Sequence, residues 1–451
     1  MAVTESVPAA PTTTHEGVLR RQSARESAAR TYARSLPIVP VRARGLTIEG
    51  ADGRRYLDCL SGAGTLALGH NHPVVLDAIR TVLDSEAPLH VLDLATPVKD
   101  AFVTELFRSL PGDLASRARV QFCGPAGTDA VEAALKLVRR ATGRQTVLTF
   151  TGAYHGMSAG ALDVSGGATE MRAARLPYPQ DYRCPFGIGG ESGATLASRL
   201  AESYLTDPKS GIPDPAGMIL EPVQGEGGVH PAPDSWLRRM RELTREHGIP
   251  LIADEVQTGV GRTGAFWAVE HSGVVPDVMV LSKAIGGSLP LAVIVYHEDL
   301  DVWEPGAHAG TFRGNQLAMA AGTATLAYVR EHGLARRAAD LGARMLGHLR
   351  ALAVAYPWVG DVRGRGLMLG VELVDPDGAR SEPSAPPPAA PLRAAAVRRE
   401  CLRRGLIVEL GGRHSAVVRL LPPLTITDEQ ASAVLDRFAE ALAAVHRDLP
   451  V

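Results

Sequence analysis

Val280-Leu281-Ser282-Lys283-Ala284-Ile285-Gly286-Gly287 is an apolar run that ends in a lysine and a pair of glycines. Upstream, Leu251-Ile252-Ala253-Asp254-Glu255-Val256 is a second apolar run, ending in a carboxylate. Short apolar stretches bounded by turn residues read as strands buried on both faces. Stretches 119–122, 146–150, 218–220, 250–253 and 278–281 all read this way, and helix-like segments, such as 129–140, separate most of them. Strands alternating with helices predict an α/β fold, a mostly parallel sheet with helices on both faces. Ligands of such sheets gather at the carboxyl ends of the strands. Glu221, Asp254 and Lys283 all lie at such ends, so the three face one crevice.

The remaining composition narrows the class. At 451 residues the chain is long enough for two or three domains with a large core. Its 45% hydrophobic and 21% charged residues are ordinary for a soluble globular protein. A net charge of −2 gives no electrostatic footprint for nucleic acid or an anionic membrane. No apolar run reaches the ~18 to 20 residues of a bilayer span, and Met1-Ala2-Val3-Thr4-Glu5-Ser6 does not open a secretory signal. Cys59, Cys123, Cys184 and Cys401 lack CxxC spacing, which argues against a disulfide framework or a zinc site. A cytoplasmic protein without a metal is the expectation.

Residues 1–15, rich in Pro, Thr and Ala, read as a disordered N-terminus. Residues 16–70 read as the N-terminal segment of a smaller α+β domain, with a hairpin over 47–57. A large domain spans 71–335, and 336–451 completes the small one. Two long helices over 315–355, joined near His332-Gly333, bridge the two domains. Strands at 367–373, 406–410 and 416–421 and a helix over 427–446 follow, with 381–388 as a Pro-rich loop.

Of 47 basic residues only four are lysines, and Lys283 alone follows an apolar strand and precedes a Gly-Gly turn. A lysine at a strand end is ordinarily a solvated charge. With Asp254 at the end of a neighbouring strand, however, it could hold pyridoxal phosphate, the amine as Schiff base and the carboxylate at the pyridine nitrogen. Gly124-Pro125-Ala126-Gly127-Thr128-Asp129 runs from a strand into a helix, where free N–H groups and a hydroxyl suit a phosphate. Alone it reads sooner as a plain Gly-rich turn with Asp129 as its cap. Tyr154, in Phe150-Thr151-Gly152-Ala153-Tyr154-His155-Gly156, offers a face to a flat ring, or is a core tyrosine beside a turn. Gln257 could reach the ring's phenolic oxygen, or be an exposed loop amide. No GxxxxGK or GxGxxG motif follows a strand, so a nucleotide site is disfavoured.

These blocks, in this order, resemble the class III (omega) pyridoxal-phosphate aminotransferases of fold type I, over roughly residues 35 to 445. The resemblance rests on Gly69-His70-Asn71-His72-Pro73, Gly127-Thr128, Tyr154-His155-Gly156 and Glu221-Pro222-Val223-Gln224-Gly225-Glu226-Gly227-Gly228. It continues through Asp254-Glu255-Val256-Gln257-Thr258-Gly259, Ser282-Lys283, Gly310-Thr311-Phe312 and Arg419 before Pro422-Pro423-Leu424. It implies Lys283 as Schiff-base lysine and general base, Asp254 at the pyridine nitrogen, and Tyr154 and His155 beside the ring. Gln257 would contact the ring oxygen. Gly127 and Thr128 would bind the phosphate, joined by Thr311 from the partner subunit, so the active site of a homodimer lies at the interface. Arg419 would bind the α-carboxylate of 2-oxoglutarate, and Glu221 would neutralise Arg419 when an omega-amine is bound.

Finer features are similar to the members that act on L-2,4-diaminobutyrate and 2-oxoglutarate. They are the stretches 58–69 and 92–99, Gly124-Pro125-Ala126-Gly127-Thr128, and Thr311-Phe312-Arg313-Gly314-Asn315. The usual phosphate turn has Asn-Ser before its glycine; here Pro125-Ala126 replaces it, removing a hydroxyl. The expected reaction gives L-aspartate 4-semialdehyde and L-glutamate, reversibly. Ornithine, acetylornithine or 4-aminobutyrate as donor, an aminomutase, and a non-catalytic cofactor binder are the alternatives.

Overall fold

A computed structural model of the chain describes residues 14–166 and 173–448. Its centre is a seven-stranded sheet. From edge to edge it runs Ala118–Phe122, Val293–His297, Val278–Leu281, Leu251–Asp254, Gly217–Leu220, Val147–Phe150 and Ala173–Leu176. Val293–His297 pairs antiparallel with both neighbours, and the other observed pairings are parallel. Every residue of Val147–Phe150, Gly217–Leu220, Leu251–Asp254 and Val278–Leu281 is buried. That is what helices on both faces require.

On one face the helix Gly127–Thr142 packs Ala130, Val131, Ala134, Leu137 and Val138 against Ile219, Ile252, Val278 and Val280. On the other, Gly190–Thr206 and Asp234–Glu246 bury Ala197, Trp236 and Met240 against Leu148, Met218 and Leu251. A strand's alternate side chains thus feed two separate cores. Two strands were absent from the expected set. Val293–His297 carries the β-branched signal plainly, whereas Ala173–Leu176 is too short and too polar to stand out.

The smaller α+β domain is built on an antiparallel sheet in the order Val359–Arg365, Met368–Leu373, Val417–Leu420, Glu409–Gly411. The helix Pro391–Arg403 packs beside it, and Asp428–Asp448 packs on that helix. The hairpin Thr47–Gly50 and Arg55–Asp58 joins this part through Leu406–Ile407, which runs parallel to Arg55–Asp58. The two bridging helices are Gln316–Glu331 and Leu334–Ala353, with Gly333 in the left-handed region between them. Of the expected disordered N-terminus, residues 1–13 lie outside the described residues; Thr14 caps the helix His15–Arg25.

Candidate active site

Strand ends assemble the site. Leu251–Asp254 and Val278–Leu281 are adjacent and parallel, with Asp254 in register with Val280. Lys283, two residues past its strand, therefore emerges beside Asp254. It opens a short 3-10 turn, Lys283–Gly286, with φ of +51°. A side chain in that left-handed region costs about 1 to 2 kcal/mol, so its surroundings must impose it. Ser282 Oγ donates to the Leu291 carbonyl at 2.9 Å. Behind the turn, the helix Gln316–Glu331 places Gly322 where any Cβ would overlap the Ile285 carbonyl oxygen.

Lys283, Asp254, Glu221, Tyr154, His155, Gln257, Gly127 and Thr128 line one cavity of about 290 Å³. Burial, with the Arg419 charge, pushes the Lys283 amine's pKa down against the pull of Glu226 and Asp254. Asp254 Oδ2 lies 2.6 Å from His155 Nδ1, and its Oδ1 accepts the Val256 N–H at 3.1 Å. Burial lowers the pKa of His155, but the hydrogen bond and charge of Asp254 outweigh it and raise it. His155 is thus fixed behind the carboxylate as a neighbour of Asp254, whose free edge is left to the cavity.

At the other end, the helix Gly127–Thr142 points its N-terminus into the cavity. The Asp129 carboxylate accepts the Ala126 N–H at 3.0 Å, so the capping role is real. Gly127 and Thr128 N–H still have no acceptor among the described residues, as befits a free first turn. Thr128 Oγ1 is 2.7 Å from Ser158 Oγ, which donates to Glu132 at 2.6 Å. Gly156, with φ of +127°, passes so close that a Cβ would sit 2.5 Å from Thr128 Oγ1. Unsatisfied N–H groups at a helix N-terminus form an anion site. Tyr154 is 43% exposed, its ring on the cavity, as is Val256. The residues therefore fit a flat, phosphorylated, aldehyde-bearing pyridine: anion donors at one end, an amine at the aldehyde, a carboxylate at the ring nitrogen.

One expected contact differs. Glu221 does not meet Arg419. Its two oxygens accept the Tyr154 and Gly225 N–H groups at 3.0 and 3.1 Å, and burial raises its pKa to about 7. Arg419, 0% exposed, is instead held by Glu226 at 2.8 Å and Glu409 at 2.6 Å. The Glu409 bond is well formed. The Glu226 contact falls short of hydrogen-bond geometry, leaving Arg419 Nε and Nη1 buried without a hydrogen bond among the described residues. Glu226 is the carboxylate that sequence reasoning missed, although it sits between glycines in the same block. Gln257 lines the cavity, its Nε2 donating to the Ala63 carbonyl at 3.2 Å and its Oε1 buried without a partner among the described residues. Thr311 does not line this cavity. It lies in a neighbouring one with His90, Phe312 and Pro125, across the phosphate turn from Gly127.

A parallel-sheet fold with these groups on its strand ends defines a pyridoxal-phosphate enzyme of fold type I. The comparisons agree. The model of the class-III aminotransferase family matches residues 28–442, and the chain belongs to that family. A diaminobutyrate–2-oxoglutarate aminotransferase of Rhizobium meliloti is 54% identical over 96% of this chain and 92% of its own length. One from Haemophilus influenzae is 46% identical over 94% of each. Among solved structures, a PLP-bound amine transaminase from an uncultivated Pseudomonas species superposes with a TM-score of 0.82. It is 30% identical and covers 93% of this chain and 98% of its own. The ornithine aminotransferase of Toxoplasma gondii gives a TM-score of 0.78 at 27% identity, over 96% of each chain. The cofactor is pyridoxal phosphate, and the chain is an aminotransferase.

Proposed function

We propose that the enzyme moves the 4-amino group of L-2,4-diaminobutyrate to 2-oxoglutarate, giving L-aspartate 4-semialdehyde and L-glutamate, reversibly. The observation that carries this reading is Arg419 paired to a releasable carboxylate, Glu226, in a cavity shared with Lys283. An omega-amine donor has no carboxylate on its reacting carbon, and Glu226 then neutralises Arg419. 2-Oxoglutarate does have one, and it displaces Glu226 to reach the two unsatisfied guanidinium nitrogens. One site thereby serves both half-reactions.

When bound, pyridoxal phosphate supplies an aldehyde that condenses with amines and a protonated ring that draws electrons from the reacting carbon. The chain supplies the rest. Lys283, its pKa lowered by burial, moves the proton at the donor's C4. Asp254, backed by His155, would face the ring nitrogen. The Gly127 and Thr128 N–H groups would anchor the phosphate. The assignment of diaminobutyrate draws on the relatives named for it, at 54% and 46% identity.

A homodimer belongs to this reading. Leu89, Leu92 and Phe312 are exposed by 48%, 51% and 71% around the neighbouring cavity, a surface that a second copy would cover. Thr311 would then complete the partner's phosphate site. No helix among the described residues is long and apolar enough to cross a membrane, and a cytoplasmic location fits the substrates.

The test incubates purified enzyme with 2-oxoglutarate and one donor at a time, measuring glutamate. Diaminobutyrate is expected to exceed ornithine and 4-aminobutyrate in kcat/KM, and a faster rival overturns the donor. Lys283→Ala is expected to lose the yellow colour of the holoenzyme and at least about a hundredfold in rate.

A further inference from the structure

A second cavity, of about 740 Å³, opens onto Lys283. It shares Tyr154, Glu226 and Lys283 with the cofactor cavity and adds Tyr32, Arg398 and Glu409. Glu409 is buried and fixed: Tyr32 donates to its Oε1 at 2.8 Å, and Arg419 to its Oε2. Arg398, on the helix Pro391–Arg403, has no hydrogen bond or ion pair among the described residues, and its Nε is buried. Arg34 at the same rim is already engaged, donating to the Ala28 carbonyl at 2.7 Å. The cavity therefore offers one unspent guanidinium near two carboxylates.

We infer that Arg398 is the binding residue for the donor's α-carboxylate, with Glu409 and Glu226 receiving the α-ammonium. This rests on the diamino acid reading above. The chemistry of the two substrates separates their cations. In 2-oxoglutarate and glutamate the α-carboxylate is bonded to the reacting carbon, within reach of Arg419. In 2,4-diaminobutyrate the reacting carbon is C4, and the carboxylate carbon lies three bonds away. Arg419 is meanwhile occupied by Glu226 and Glu409. A zwitterionic far end needs its own cation and an anion beside it, and the second cavity holds both.

The test compares the wild-type holoenzyme with Arg398→Gln and Arg398→Lys in the two half-reactions separately. Arg398→Gln is expected to lower kcat/KM for diaminobutyrate by about tenfold to a hundredfold, the loss of one charge-assisted contact. Its KM and rate for 2-oxoglutarate should stay within twofold. Arg398→Lys should recover part of the donor loss. As a second readout, the inhibition constant of 1,3-diaminopropane, which has the amines but no carboxylate, should be unmoved by Arg398→Gln. Equal losses in both half-reactions, or no loss with diaminobutyrate, overturn the inference. If the wild type makes no glutamate from diaminobutyrate, the donor assignment itself falls and this inference falls with it.

Discussion

Glu255 shows how much a single buried group can say about solution behaviour. It neighbours Asp254 but points away from the cavity, accepting from the Thr258 hydroxyl and from the Val269 N–H at 2.9 Å. Desolvation outweighs those bonds and raises its pKa to about 7. The folded state thus holds this proton more tightly than the unfolded chain does. Its contribution to stability is full below about pH 4.5 and is lost as pH rises through about 7. The change is on the order of 3 kcal/mol. Glu221, raised to about 7 by the same cause, acts in the same direction. We expect Glu255→Gln to gain stability relative to the wild type by about that amount between pH 4.5 and 8, read by urea unfolding of the holoenzyme. A difference that does not change with pH would sink this account. At this scale the sequence was a good guide to positions tied to strand ends, such as those of Lys283 and Asp254. It was a poor guide to Glu221 and Glu226, two carboxylates in one block whose partners are fixed only by the path of the loop between them.

Elements hold the site by close approach. The turn Lys283–Gly286 leans on the helix Gln316–Glu331 at Gly322, where backbone meets backbone and nothing can retreat. Gly322→Ala is expected to cost several kcal/mol and to shift Lys283, seen as a lower unfolding temperature together with a lower kcat, comparable to overpacking a rigid core. The exposed Gly347 in the next helix is its control, because a Cβ there meets only open space. Gly347→Ala should stabilise by about 0.5 to 1 kcal/mol. Equal effects of the two changes would refute the packing argument. These helices were legible from their apolar spacing, and so was the break at His332-Gly333. What spacing does not carry is the contact partner of a small residue. Gly322 looks like an ordinary helical glycine until the lysine turn is laid against it.

Across the whole molecule, the site is completed by joining the two sheets. Glu226 follows the seven-stranded sheet, whereas Glu409 and Arg419 face each other on adjacent strands of the smaller one. Fully buried Arg262 ties the same halves, donating to the Leu367 and Pro422 carbonyls. Glu226→Gln should leave Arg419 unneutralised when an omega-amine binds. The donor half-reaction is expected to slow by about tenfold or more, while the 2-oxoglutarate half-reaction holds or quickens, by stopped-flow absorbance of each half. Slowing of both halves alike would mean that Glu226 only supports the fold.

The sequence by itself determined the α/β alternation, the strand-end positions of Glu221, Asp254 and Lys283, and the glycine turn that opens the helix Gly127–Thr142. These follow from local pattern, because apolar period and turn residues act within a few positions. The tertiary structure alone decided that Arg419 answers to Glu226 and Glu409, that Gln257 spends its amide on Ala63, and that Arg398, without a partner among the described residues, shares a cavity with the lysine. Such pairings join residues far apart in the chain, and only packing of the two sheets fixes which charges are buried together.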